Sequence, residues 1–309
     1  ELKKEWEVVS STENTFPTGQ ATKRIDFVVT LKTPPTTVVK SNVIYNLDGV
    51  NVAITSDHYP LYCDFKKPTG LEEYPKAEGD LRIGNYFLTY CKGTDGVIDY
   101  DRTGRIIAKM NADIVCLQGL DKETERSEGI DQLNVLAQKA NMYDYFAKAI
   151  DYKGGEFGVG ILTKEEPVSV DRYQMAGKSE MRAAMVVEYE KFVVASTNFD
   201  TDMAKRIEAL QTLQTKLSAY NKPAFLLGYF NEGDLESEFF QMVKSNWNLL
   251  SADKSTEVSG KKRRLDFIVS LKSHNVNVTQ ADVIESLSGV DVTVASTHYP
   301  LFCDFSGLK

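Results

Sequence analysis

The sequence has no apolar run approaching the ~18 residues that a membrane-spanning helix needs. Stretches such as FVVAS and PAFLLGYF are strand-sized. Four cysteines in 309 residues are too few for a disulfide framework at this length. Positive charge is in deficit: 36 Lys and Arg stand against 44 Asp and Glu, a net charge of −8. That balance argues against a large nucleic-acid footprint, so no nucleic-acid partner is expected. The local basic run KKRR at 261–264 reads as a solvated approach to a strand. The chain begins ELKKEW, without an initiator methionine or a signal-peptide pattern. Together with the sequon Asn277-Val278-Thr279, which permits glycosylation at Asn277, this leans toward a processed, secreted protein.

Hydrophobic content of 42% and charged content of 26% fit a globular protein with one large domain or two ordinary ones. The most informative feature is an internal repeat. Residues 23–65 align without a gap onto 263–305, and 21 of the 43 positions are identical. KRIDFVVTLK matches RRLDFIVSLK, and SDHYPLYCDF matches STHYPLFCDF. A period of 240 residues is domain-sized, unlike the short units of solenoids. Residues 80–309 therefore read as one whole copy. Residues 1–67 read as the C-terminal part of a preceding copy, and the proline- and glycine-bearing segment 68–79 as a linker.

Within the whole copy, apolar strands alternate with amphipathic helices. ADIVCLQ at 112–118 is continuously apolar, as in a sheet covered on both faces. SEGIDQLNVLAQKA at 127–140 and residues 202–220 carry apolar stripes at helical spacing. AAMVVEYE and KFVVASTNF predict a hairpin, and AFLLGYF, RLDFIVSL and VDVTVAS further strands. The expected fold is α/β (α+β): a four-layer αββα sandwich of two mixed sheets with helices outside, plus a partial second copy. Cys63 and Cys303 share strand faces with leucine and phenylalanine and read as buried packing thiols; Cys91 and Cys116 lie in strand-like runs.

The stretches LTYCKG, DIVCLQGL, GVGILT, STNFD, LLGYFNEGD, RLDFIV and STHYPL follow one another in an order that resembles the endonuclease/exonuclease/phosphatase superfamily, the deoxyribonuclease-I-like fold. The SDHYP wording looks especially like its sphingomyelinase branch. The resemblance implies hydrolysis of phosphate esters with a divalent cation, usually Mg²⁺, and a histidine base oriented by a carboxylate. Most of the residues it would require are changed here. Gly119 stands where the family has its metal-binding glutamate, Cys91 replaces an asparagine, and Asn198 replaces a histidine. Tyr229 and Thr297 replace aspartates, while Asn231, Asp266 and His298 remain.

The resemblance thus implies a vestigial Asp266–His298 dyad without a metal pole, and no cofactor is expected in 80–309. The dyad reads foremost as a buried pair that satisfies its own hydrogen bonds. Tyr229 and Cys91 are expected to fill the former cleft. The leading expectation is a catalytically inactive, tandem-repeat protein with a structural, assembly or binding role. In the first copy Asp26, Asp57 and His58 keep the active wording. The alternative is a Mg²⁺-dependent phosphodiesterase, sphingomyelinase- or nuclease-like, whose site is completed upstream of that copy. A weaker option is a domain that holds phosphate-containing ligands without cleaving them. An incomplete copy of about 65 residues cannot bury enough surface alone. Residues 1–67 are therefore expected to dock on another copy or a neighbouring subunit, with self-assembly as one result.

Overall fold

The structure, a computed structural model, describes residues 6–31, 38–65 and 73–309. The chain divides into two compact units, Glu1–Leu71 and Glu72–Lys309.

The second unit is built on two six-stranded sheets. One contains β5 (Leu81–Phe87), β6 (Ile114–Lys122), β7 (Tyr143–Tyr152), β8 (Gly155–Thr163), β15 (Asn277–Val283) and β16 (Leu301–Ser306), in the order β15-β16-β5-β6-β8-β7. The other contains β9 (Ser169–Met175), β10 (Arg182–Glu188), β11 (Val193–Asn198), β12 (Ala224–Tyr229), β13 (Trp247–Leu249) and β14 (Asp266–Leu271), in the order β13-β14-β12-β11-β10-β9. Each sheet is mixed: β5 and β6 run parallel, as do β11 and β12, and the remaining neighbours are antiparallel. The inner faces meet in a core of Ile83, Cys116, Ile161, Met185, Val194, Phe225, Ile268 and Phe305. Helices α2 (Tyr100–Lys109) and α3 (Gln132–Ala140) cover the outer face of the first sheet through Ile106, Leu133 and Leu136. Helices α4 (Met203–Leu217) and α5 (Glu238–Asn246) cover the second through Leu210, Leu213 and Phe240. The four-layer αββα sandwich is therefore present, with the 183–199 hairpin as β10 and β11.

Three local expectations are corrected. VDVTVAS forms a short helix, α6 (Val292–Ala295), because Asp291 caps it by accepting from Thr293 N and Thr293 Oγ1. The linker assigned to 68–79 falls partly outside the described residues, and its described part packs onto the domain. The buried guanidinium of Arg82 donates to the carbonyls of Tyr74, Pro75 and Met110, and Lys76 pairs with Asp113 at 2.7 Å. A buried guanidinium must satisfy its donors, and this segment supplies the acceptors. In the basic run, Arg264 is not solvated: it donates to Ser251 O and Oγ and lies 4.7 Å from the Phe267 ring centre.

The first unit contains β1 (Trp6–Val8), β2 (Val29–Leu31), β3 (Val38–Val43), α1 (Val52–Thr55) and β4 (Leu61–Phe65). Its strands form two separate antiparallel pairs, β1-β2 and β3-β4. Each pairing recurs in the second unit. Trp6 opposes Leu31 as Trp247 opposes Leu271, and Val43 opposes Leu61 as Val283 opposes Leu301. Even the register shift after Val38 recurs after Val278. Arg24 donates to Ser10 O and Oγ as Arg264 does to Ser251. Cys63 is only partly buried, with its thiol 3.1 Å from Ser41 Oγ, whereas Cys303 is wholly buried.

Candidate functional site

In the second unit the surviving residues come together at the ends of β12, β14 and the loop before β16. Thr256 Oγ1 accepts from the amides of Leu265 and Asp266 and so fixes the start of β14. Asp266 is fully buried, and its Oδ2 lies 2.6 Å from His298 Nδ1. The histidine backbone is placed by Ser296, whose Oγ donates to Phe87 O and accepts from His298 N. Asp266 Oδ1 has no hydrogen-bond partner among the described residues. The dyad implied by the sequence is therefore assembled.

It is also closed. Phe87 lies 4.7 Å from the His298 ring, centre to centre, and Tyr229 meets the same ring edge-on at 4.8 Å. Phe87 and Tyr229 are themselves 4.7 Å apart, so the three rings form one contiguous cluster. His298 is only 5% exposed. Burial, then the neighbouring Asp266 charge, pushes the Tyr229 hydroxyl up to about 12. Tyr229 thus stays a neutral phenol.

Gly119 sits at a register shift between β6 and β8, in the left-handed conformation with φ +74°. A Cβ there would lie 3.3 Å from Phe87 Cε2 and 3.3 Å from Thr89 N. The preceding Gln118 is buried and donates to Asn85 Oδ1 at 2.8 Å and Ser196 Oγ at 3.2 Å. Asn231 donates to Phe199 O at 2.7 Å and lies 3.4 Å from Asn198 Oδ1, so those two amides serve each other and the backbone. Thr297 is exposed and its hydroxyl lies 3.0 Å from Thr89 Oγ1.

Cys91 does not fill the site. It closes a 3-10 turn, Thr89–Cys91, whose three residues all have positive φ. That turn drives the thiol into the core under α2, beside Tyr86 and Ile106, where burial raises its pKa strongly. The bulk over the dyad comes instead from Phe87, which sequence reasoning missed. Its signal was the strand pattern of LRIGNYF, in which alternate residues face the second sheet.

A hard divalent cation needs anionic or carbonyl oxygens around it. The residues here do not fit one: position 119 offers no side chain and is tightly approached by Phe87 and the Thr89 backbone, and 229 is a neutral phenol. Among the described residues, no three His, Cys, Asp or Glu side chains gather into a group that could hold a metal ion.

In the first unit, His58 Nδ1 lies 2.8 Å from Asp26 Oδ2, and Thr15 Oγ1 donates to the same oxygen. These two hydrogen bonds, Thr15 foremost, lower the Asp26 pKa. Both side chains of the pair are more than a third exposed, and Asp57 is exposed as well. This dyad lines an open cavity of about 450 Å³ with Phe27, Tyr59 and Leu61.

No family model and no curated protein matches the chain. Solved structures do. An endonuclease/exonuclease/phosphatase from Beutenbergia cavernae superposes with a TM-score of 0.63 at 18% identity, over 75% of this chain and 73% of that one. A mannosyl-6-phosphatase from Bacteroides thetaiotaomicron gives 0.58 at 16% identity, over 73% and 99%. The human Nocturnin catalytic domain, solved with bound sulfate, gives 0.55 at 18% identity, over 74% and 93%. With its two mixed sheets and outer helices, the chain carries the fold of the endonuclease/exonuclease/phosphatase proteins.

Proposed function

We propose that residues 73–309 are a catalytically inactive endonuclease/exonuclease/phosphatase domain with a structural or binding role. The observation that carries this reading is the Phe87 ring. It covers His298 and stands against Gly119, so both the base and the metal pole of a phosphoesterase site are lost at one point. A proton acceptor alone would leave the charge that develops on a phosphate without a counter-charge. The Asp266–His298 pair then serves the packing of β14 against the loop before β16.

A second reading is favoured by the first unit, where Asp26, Asp57 and His58 are all present and the dyad is open. Completed by a polypeptide that brings metal carboxylates, this unit would belong to a Mg²⁺-dependent phosphodiesterase. One experiment tests the first reading; the second expects turnover only once the completing polypeptide is present. The whole chain is assayed with Mg²⁺ against bis-p-nitrophenyl phosphate and sphingomyelin, beside His298→Ala and His58→Ala. The first reading expects no turnover above background. Hydrolysis lost in His298→Ala overturns it, and hydrolysis that needs the completing polypeptide and is lost only in His58→Ala favours the second.

A further inference from the structure

The first unit presents to water what the second buries. Phe27 is 50% exposed and Val29 43%, whereas Phe267 and Val269 at the matching positions are fully buried. Phe65 is 42% exposed and Phe305 is fully buried. The strand edges differ in the same way. β14 is bonded on both edges, by β13 and β12, while β2 pairs only with β1 among the described residues. β16 lies between β15 and β5, while β4 pairs only with β3 among the described residues. Each free edge is a ready template for another strand, and two-stranded ribbons are marginal alone in water.

In the second unit, residues 73–246 do the covering. They supply β12 to one edge and β5 to the other, and they supply helices α4 and α5, which pack over the cluster holding Phe267 and Val269. The matching pairings of the two units, down to one shared register shift, make the covering part transferable in kind. We infer that residues 6–65 are a docking half-domain. Its occupant is a polypeptide equivalent to residues 73–246, the N-terminal part of the same fold, which adds one antiparallel strand to β2 and one to β4. This inference does not depend on whether residues 73–309 turn over a substrate.

The test co-expresses the whole chain with residues 73–246 as a separate, tagged polypeptide. The readouts are the mass of the purified species and amide hydrogen exchange. The expected result is a soluble 1:1 complex in which amides of 27–31 and 61–65 become protected while those of 247–306 stay as they were. Phe27→Asp combined with Phe65→Asp replaces side chains that are 50% and 42% exposed, and circular dichroism of the variant chain checks that it stays folded. It should bind the added polypeptide at least about tenfold more weakly. The inference is overturned if the 73–246 polypeptide stays insoluble beside the whole chain. It is overturned equally if protection changes only in 247–306, which reports exchange within the second unit, or if the double substitution leaves binding unchanged.

Discussion

The Phe87 ring occupies the approach to Gly119: a side chain begun at residue 119 would meet it at 3.3 Å from its first carbon. Any side chain at 119 would therefore have to displace the ring or the Thr89 backbone by a few tenths of an ångström, on top of the left-handed backbone conformation.

Restoring the acid alone should consequently fail. Gly119→Glu places a side chain at φ +74°, which costs about 1–2 kcal/mol before any contact with the ring. Urea unfolding should show at least that loss, and calorimetric titration should show no Mg²⁺ binding. Adding Phe87→Ala should cost less in the Gly119→Glu chain than in the parent, because there it also relieves the collision. A Gly119→Glu chain as stable as the parent, or one that binds Mg²⁺, contradicts the geometry.

Asp266 and His298 should behave as a structural pair. Asp266→Ala strips a buried imidazole of its partner and should cost about 3 kcal/mol. Asp266→Asn keeps an oxygen within reach of Nδ1 and should cost less. Denaturant midpoints of the two variants decide the matter, and a loss below about 1 kcal/mol for the alanine would mean the pair contributes little to the fold.

Arg82 makes the most demanding buried contact in the second unit. Its Nε and Nη2 each lie 2.7 Å from a different oxygen of Asp304, and both side chains are essentially inaccessible. Arg82→Ala should cost about 3–5 kcal/mol. Arg82→Lys should rescue little, because an ammonium cannot reproduce the planar fork that also serves Tyr74, Pro75 and Met110. Thermal melts of both variants test this.

Glu257 and Arg263 give the loop beside His298 a pH dependence. The bidentate Arg263 contact holds the Glu257 carboxyl down to about 2, from an ordinary value of 4.5. A lowered carboxylate contributes stability above its unfolded value and loses it as pH falls through its folded one. The contribution is thus complete at neutral pH and disappears between 4.5 and about 2. Because Arg263 is half-exposed, its size should be only about 1 kcal/mol. Glu257→Gln should be less stable than the parent at pH 7 and converge with it at about pH 2, read from urea midpoints across that range.

Periodicity and local motifs carried most of the sandwich: the hairpin β10-β11, the helix α4 and β6 with its apolar start Ile114–Leu117 were legible because burial on one or both faces writes itself into the sequence. The short strand β13 and the helix α6 were not, since neither shows a period of its own. The Asp266–His298 pair was legible from RLDF and STHYP. The closure of the site was not. Phe87 ends a strand that looks like any other, and only its contacts with His298, Tyr229 and the backbone at Gly119 make this half-buried ring a plug. Cys91 shows the converse: its place in the motif was readable, but three successive left-handed residues send it elsewhere.

The contacts of Arg82 also tie together parts of the domain that are far apart in sequence. One side chain is held at once by residues 74 and 75 and, 222 positions along the chain from itself, by Asp304. Fraying of either segment leaves the same guanidinium with unanswered donors, so neither can peel away at little cost while the other stays in place. The arginine is a clasp: it fastens residues 74 and 75 to the β5–β16 pair, in which Arg82 and Asp304 stand directly opposite each other.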